Sequence, residues 1–297
     1  MAITTVRAKV NGSWYNLTYN STSGAWEATI TAPAATSYTQ PNHYYNVEVE
    51  ATNTAGTTAT ADASDLDGLK LYVKETTAPT LAINSPTSGA YVTNNQQPVV
   101  FQATAAGSGV DPSSLVVKLD GTAVAASTIT RTAITGGYSF TYTPASTLSD
   151  GSHTVTVDIS DYDGNAATRQ STTFTVDTVA PTLNVTAPTN NLVTNTAALT
   201  VTGTTNDATS SPVTVTISLN GVDQGTVTVS GGAFSKSVTL ASGSNTIVVT
   251  ATDRSGRATT VSRTVTLDTS TPTIVSATIT PNPVDVGQTM LISVVIQ

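Results

Sequence analysis

Three similar short segments divide this sequence into repeats, and these repeats limit its fold more than any other feature. The segments read ETTAPTL, DTVAPTL and DTSTPTI, and each has a Pro-Thr pair followed by an aliphatic residue. Their prolines, Pro79, Pro181 and Pro272, lie 102 and then 91 residues apart. That spacing is the size of one small domain. Because proline and the residue before it favour extended backbone, the segments are predicted to be stiff linkers.

Inside each repeat, a strand-like pattern runs into an Asn-Gly or Asp-Gly turn. The turns are Asn11-Gly12, Asp120-Gly121 and Asn220-Gly221. These pairs tolerate the positive φ angles that a two-residue β-hairpin needs. A glycine and then an aromatic residue follow each turn, and we expect the rings to fill the domain cores. These aromatic residues are Trp26, Tyr138, Phe140 and Phe234.

A second pattern, later in each repeat, alternates apolar and polar residues before a turn that ends in glycine. Such alternation is typical of a strand with one buried face. The buried residues predicted in this way are Val47, Val49 and Ala51; Val155, Val157 and Ile159; and Ile247, Val249 and Ala251. No helix of normal length is expected, because Thr, Gly and Pro interrupt each window that could form one. The fold class is therefore predicted to be all-β.

Composition and charge narrow the possible functions. Lys and Arg total only 11 and the net charge is −8, so the chain lacks the clustered positive charge that nucleic acid or an anionic membrane requires. It contains no cysteine, which excludes disulfides and thiolate metal sites. The N-terminal MAITTVRAKVNG is unlike a signal peptide, and no apolar stretch reaches membrane-spanning length. We expect no nucleic-acid partner and no membrane insertion.

Two related motifs point to a family. LASGSNTIVVTATD, residues 240–253, and LSDGSHTVTVDISD, residues 148–161, resemble the signature of bacterial Ig-like repeats. Such repeats occur in phage and prophage tail (virion) proteins and in bacterial surface adhesins. The resemblance extends over the whole chain and implies tandem immunoglobulin-like antiparallel β-sandwiches forming a rod. It is specific for the fold and unspecific for function. The absence of a recognisable signal peptide favours the phage group, whose proteins assemble in the bacterial cytoplasm.

Aligning the landmarks predicts four segments that differ in completeness. Residues 1–76 form an Ig-like unit that lacks its first strands, residues 77–178 and 179–269 form complete units, and residues 270–297 contain early strands only. A sandwich without its first strands has an open apolar face and an unpaired edge, and both favour strand addition.

We therefore expect the C-terminal strands of one chain to complete the N-terminal unit of the next, in a head-to-tail assembly. Another virion or surface structural protein is an alternative partner, and local pairing of the end strands as a small cap is an alternative structure. The residues predicted to make the assembly contact are Ile274, Ile279, Met290, Ile292, Val294 and Ile296.

Aromatic residues in SWYNLTYN are candidates for a binding face. Trp14, Tyr15 and Tyr19 alternate with polar residues, and rings of this kind stack on sugars. Core packing is the alternative explanation for one side of the strand, which leaves Trp14 or Tyr15 on the other side. The partner of such a face would be a cell-surface glycan or protein.

Several acidic residues are possible calcium ligands. Those of the second repeat are Asp158, Asp161, Asp163 and the linker residue Asp177. The third repeat has only Asp253 and Asp268 at matching positions, and no dense D-x-D-x-D-G loop occurs. Turn formation is the preferred explanation, so no cofactor is predicted, with calcium as the less favoured alternative. An insertion in the first repeat adds three acids, which we interpret as loop caps: Asp62, Asp65 and Asp67.

The two histidines are predicted to be structural. His153 aligns with Tyr45 and Asn245, at a corner where sandwiches place a side chain that hydrogen-bonds to nearby backbone. His43 lies in the turn sequence QPNHYY and is expected to be solvated. No nucleophile elbow, phosphate loop or H-E-x-x-H motif occurs, so the chain is not expected to be an enzyme and no catalytic residue is assigned.

Together these patterns predict a non-enzymatic structural or assembly protein of a phage-like tail, virion or surface fibre. An adhesin that binds a host glycan or surface protein is the alternative. The expected location is a virion or an extracellular surface structure assembled in the bacterial cytoplasm.

Overall fold

The computed structural model of the chain describes residues 2–297, apart from the side chain of Thr226. It contains two compact units, residues 1–177 and residues 178–297. Nearly all of the regular structure is β-strand, which confirms the predicted all-β class. The helical segments of the described chain are short 3₁₀ turns at Ser37–Thr39, Pro41–His43, Asp67–Leu69 and Ala126–Thr128. None of its helices is long and apolar enough to cross a membrane.

The first unit begins with an N-terminal module of seven strands. These are β1 (Ile3–Val10), β2 (Ser13–Asn20), β3 (Ala25–Glu27), β4 (Tyr45–Asn46), β5 (Glu48–Asn53), β6 (Thr58–Ala61) and β7 (Lys70–Leu71). Five of them form one antiparallel sheet in the order β3-β2-β1-β5-β6, and β4 pairs only with β7.

The second module completes the first unit and is a full sandwich. Its strands are β8 (Thr80–Ser85), β9 (Tyr91–Val92), β10 (Val99–Thr104), β11 (Val110–Leu119), β12 (Thr122–Ala123), β13 (Ile129–Ile134), β14 (Gly137–Tyr142), β15 (Gly151–Asp161) and β16 (Gln170–Val176). The sheet orders are β13-β14-β10-β8 and β12-β11-β15-β16-β9. Both sheets contribute to one core, in which the rings of Phe101 and Phe140 stack with centroids 5.2 Å apart.

The third module repeats this architecture in the second unit. Its strands are β17 (Thr182–Ala187), β18 (Leu192–Thr194), β19 (Ala198–Asn206), β20 (Thr214–Leu219), β21 (Val222–Val227), β22 (Val229–Ser230), β23 (Ala233–Thr239), β24 (Gly243–Thr252) and β25 (Ala258–Leu267). The orders β17-β19-β23-β22 and β18-β25-β24-β20-β21 match those of the second module strand for strand. In each module one short edge strand, β9 or β18, pairs in parallel, an exception to the otherwise antiparallel pattern.

A C-terminal hairpin follows the third module. It consists of β26 (Ile274–Thr280) and β27 (Leu291–Ile296), which pair with each other and with no other strand of the described chain. Every residue of both strands is exposed.

The two predicted kinds of turn are confirmed. Asn11-Gly12, Asp120-Gly121 and Asn220-Gly221 have positive φ at both positions, as a tight hairpin requires. The later turns end in left-handed glycines at Gly56, Gly164 and Gly256.

The predicted buried face is correct for two modules and wrong for one. The apolar residues of β15 and β24 are almost fully buried: Val155, Val157, Ile159, Ile247, Val249 and Ala251. Val47, Val49 and Ala51 of the N-terminal module are only half-buried. The reason is that, among the described residues, this module has no second large sheet to cover the first.

Within the first unit, the N-terminal and second modules contact each other directly. Tyr38 stacks on Tyr162 with ring centroids 4.3 Å apart and nearly parallel planes. The Asp163 carboxylate accepts hydrogen bonds from the Thr36 hydroxyl at 2.6 Å and from the Glu75 backbone N–H at 3.0 Å. A stacked pair and a charged acceptor therefore fix this junction.

Candidate functional site

The aromatic residues of β2 lie on two different faces of the N-terminal sheet. Trp14 pairs with Lys9, and Tyr15 pairs with Ala8. Since neighbouring residues of a strand point to opposite faces, Trp14 is on one side and Tyr15 and Tyr19 are on the other. The structure therefore does not bring the three predicted binding residues together on one surface.

Trp14 lies on a charged face. The Arg7 guanidinium is 4.3 Å from the centre of its ring, and the Lys9 amine is 5.6 Å away. Arg7 donates to Glu50 at 2.7 Å, and this hydrogen bond raises the pKa of the guanidinium. Lys9 and Glu48 form a longer pair at 3.4 Å. Trp14 is 37% exposed and so remains accessible beside these cations.

The opposite face of the N-terminal sheet, which we call the open face, is apolar. Strand pairing puts β1, β2, β3, β5 and β6 side chains on it together. Val6 and Val10 are buried, but Tyr19 is 54% exposed and packs against Trp26 with ring centroids 5.7 Å apart. The half-buried members are Ala8, Tyr15, Leu17, Trp26, Val49, Ala51 and Ala61.

The C-terminal hairpin also has one apolar face, which we call the hairpin face. Ala277 pairs with Val294, and Ile279 pairs with Ile292, so their side chains project to the same side. The full set on this face is Ile274, Ala277, Ile279, Ile292, Val294 and Ile296. Its other side carries mainly hydroxyl residues, including Thr278 and Ser293. Met290, just before β27, is exposed as well.

The two complete sandwiches have the equivalents of both surfaces, and there each covers the other. The first hairpin of the second module, β8 and β10, contributes Leu81, Phe101 and Ala103 to a core shared with Val155 and Val157. The open face and the hairpin face thus have the character of two halves of one core.

Sequence reasoning identified the hairpin face and missed most of the open face. Leu17 and Trp26 belong to the open face with Tyr15 and Tyr19, and the two-residue period of SWYNLTYN is the signal that separates them from Trp14. The charged face was missed because Arg7 and Glu50 meet only through strand pairing.

The acids considered as calcium ligands in the second module have protein partners. Asp158 pairs with Arg169 at 2.7 Å, and Asp161 accepts from the Asn165 backbone and side-chain amides at 2.8 Å. Asp163 belongs to the junction described above, and Asp177 is buried.

The acids of the N-terminal insertion cap its loop. The Asp62 carboxylate accepts from the Ser64 hydroxyl and backbone N–H at 2.6 and 2.7 Å, and these bonds lower the pKa of Asp62. Asp67 pairs with Lys70 at 2.6 Å, which lowers the pKa of Asp67, and Asp65 accepts from the Asp62 backbone at 3.0 Å.

The structure confirms His153 as a corner residue. One ring nitrogen is 2.8 Å from the Ser149 carbonyl, and the other is 2.7 Å from the Asp120 carboxylate. Burial lowers the pKa of His153, but these two acceptors raise it by more, so the pKa lies above its ordinary value. His43 is exposed as expected, yet its ring also stacks on Tyr38 at 4.2 Å.

Comparison with known families explains the shared topology. Residues 75–178 match the family described as bacterial Ig-like domain. These residues form a bacterial Ig-like domain. Residues 181–269 match the family described as glucodextranase, domain B. Because the third module has the same two sheet orders as the Ig-like second module, the chain is an Ig-like repeat protein, as the sequence motifs indicated. No curated protein matches the sequence.

Solved structures with similar folds are distant in sequence. The fibronectin(III)-like modules of CbhA from Clostridium thermocellum are 20% identical, with 64% of this chain and 94% of theirs covered and a TM-score of 0.43. A 1.5-MDa bacterial ice-binding adhesin is 21% identical, with 90% and 88% covered and a TM-score of 0.30. SGBP-B of Bacteroides ovatus, in complex with a mixed-linkage heptasaccharide, is 16% identical, with 93% and 62% covered and a TM-score of 0.24.

Proposed function

We propose that this chain is a non-enzymatic structural protein of a phage-like tail, virion or surface fibre, whose copies assemble head-to-tail by strand donation. In this assembly the C-terminal hairpin of one copy covers the open face of the next copy. The chain needs no cofactor for this role. The single observation that carries the proposal is that both apolar faces are incompletely covered in the same molecule.

The exposed apolar area makes this association favourable. Ile279 and Ile292 are 44% and 58% exposed, and Ile274 and Ile296 are exposed by more than that. Burying apolar surface stabilises an interface by roughly 25 cal/mol per Å². A two-stranded hairpin is also marginally stable alone in water and becomes stable when it packs on another element. A second copy provides both the cover and the partner.

Point substitutions on the two sides of the hairpin test the proposal. Ile292→Asn places an amide on the hairpin face, whereas Ser293→Asn makes the neighbouring change on the hydroxyl side. We expect the wild type and Ser293→Asn to form large assemblies that light scattering and electron microscopy detect. Ile292→Asn should remain monomeric at the same concentration, because its amide would be buried without a partner.

Two results would contradict the proposal. One is a wild-type chain that stays monomeric at all soluble concentrations, and the other is an Ile292→Asn chain that assembles as well as the wild type. Circular dichroism of each variant establishes that the second and third modules are folded. Deletion of residues 276–297 provides a second variant, and it should also abolish assembly.

Binding of a host glycan or surface protein is the second candidate function, and the accessible ring of Trp14 favours it. An aromatic ring flanked by Arg7 and Glu50 offers stacking and hydrogen bonds at one place. A glycan array probed with the wild type should give signals that Trp14→Ala loses. Thr18→Ala, on the same face of β2, is the matched control and should retain them. An array without signals, or signals that persist in Trp14→Ala, would count against this role.

A further inference from the structure

The complete modules contain a template for how a hairpin enters a sandwich. In the second module β10 pairs antiparallel with β14, and Ala103 lies opposite Tyr138. In the third module β19 pairs antiparallel with β23, and Gly203 lies opposite Phe234. In both cases the second strand of the first hairpin pairs with the strand that follows a left-handed glycine, next to its first aromatic residue.

The N-terminal module has the equivalent acceptor strand, with a free edge. Trp26 of β3 follows the left-handed Gly24, as Tyr138 follows Gly136 and Phe234 follows Gly232. β3 lies at the end of its sheet, where it pairs with β2 on one side only. Its other edge therefore presents backbone N–H and C=O groups that a further strand can pair with.

Resting on the proposed function, we infer that β27 of one copy pairs antiparallel with the free edge of β3 in the next copy. The hairpin face then points inward, onto the open face at Tyr15, Leu17 and Val49. β26 lies on the outer side of β27, as β8 and β17 lie outside β10 and β19 in the complete modules. The acceptor is thus a second copy of this chain, joined through one defined strand edge.

The alternation of side chains determines which residues meet across this contact. Trp26 points into the open face, so Glu27 points outward. The residues of β27 on the outward side are Leu291, Ser293 and Val295. In the complete modules the outward pair next to the aromatic residue is polar: Gln102 with Ser139, and Thr202 with Ser235. Ser293 is the polar residue among the outward three, so the geometry places it opposite Glu27.

Engineered disulfides test this register, because the chain has no cysteine of its own. Residues directly opposite on antiparallel strands are about 4.5 to 5.5 Å apart at Cα, which a disulfide spans. The double variant Glu27→Cys with Ser293→Cys should form a ladder of covalent oligomers on a non-reducing gel after mild oxidation. Glu27→Cys with Val294→Cys is the matched control, and it should not, because position 294 points to the opposite face.

Two further arrangements make the result decisive. Mixing a chain that carries only Glu27→Cys with one that carries only Ser293→Cys should give dimers and nothing larger, which shows that the bond joins two copies. The pair Thr29→Cys with Leu291→Cys has the same register one step along. It replaces the first pair if the Glu27 or Ser293 substitution reduces folding.

The outcomes separate this inference from the proposed function. Assembly under reducing conditions without either predicted disulfide, or with equal cross-linking of the Val294 control, would overturn the β3 contact and leave head-to-tail assembly standing. A closed monomer linked within one chain would overturn both. Absence of any assembly by light scattering would likewise contradict the proposed function itself.

Discussion

At the scale of single residues, one corner of each module is held by a different side chain that does the same work. Tyr45 donates its hydroxyl hydrogen to the Ala35 carbonyl at 3.0 Å. His153 reaches the Ser149 carbonyl, and Asn245 donates to the Ala241 carbonyl at 2.7 Å. The requirement at this position is a donor that reaches the backbone just upstream, and three residue types meet it.

His153 makes the second module sensitive to pH. Both ring nitrogens face acceptors, an arrangement that favours the doubly protonated ring. Because the folded pKa is raised, the stabilisation is fully present below the unfolded value, about 6.5, and is lost as the pH rises through the folded pKa. Calorimetry of the full chain should therefore show the melting temperature of one transition fall above about pH 6.5.

Two variants check this prediction. His153→Asn, which copies the residue at the corner of the third module, should remove the pH dependence of that transition. His43→Asn, at an exposed position, should leave it unchanged. A transition that keeps its pH dependence in His153→Asn would assign the effect to other groups.

At the scale of elements, equivalent strands differ in how far they are covered, and a matched pair of substitutions measures the difference. Val157 of β15 is fully buried, whereas the aligned Val49 of β5 is half-buried. Val157→Ala should lower the free energy of unfolding by about 2 kcal/mol, since it removes two methyl groups and leaves a cavity. Val49→Ala should cost less than about 1 kcal/mol in the unassembled chain, because its site is open to water.

Chemical denaturation at low concentration, where chains stay separate, provides the first comparison. Light scattering at high concentration provides the second, in which Val49→Ala should weaken assembly and Val157→Ala should not. Equal costs at the two sites would mean that the open face is covered by some other route.

Local patterns predicted much of these elements. The Asn-Gly and Asp-Gly pairs predicted the hairpin turns, because positive φ is a property of the residues themselves. Alternation predicted β15 and β24 and their buried faces. It was wrong about Val49 because alternation reveals that one face is apolar and carries no information on what covers that face.

The candidate site was predictable only in part, for the same reason. Trp14, Tyr15 and Tyr19 are close in sequence, but the pleat of β2 sends them to two surfaces. The charged face around Trp14 depends on Glu50, which reaches Arg7 from a strand 43 residues away. Contacts of that kind follow from strand pairing and leave no local pattern.

At the scale of the whole molecule, the proposed contact is the same surface pair repeated from copy to copy. A head-to-tail contact of this type does not close on itself unless the rotation between copies brings it round, so it generates rings or open filaments. The stability of the N-terminal module then depends on protein concentration, because its core is completed only by association.

The exposed hairpin has one more consequence, which concerns direction. A filament built through it is polar: one terminus always carries a free hairpin, and the other always carries an unfilled open face. Two different molecules would be needed to stop growth, one that supplies a pair of strands and one that accepts them. A partner that carries only the acceptor would fix the filament to a larger particle by a single terminus and leave its orientation unambiguous.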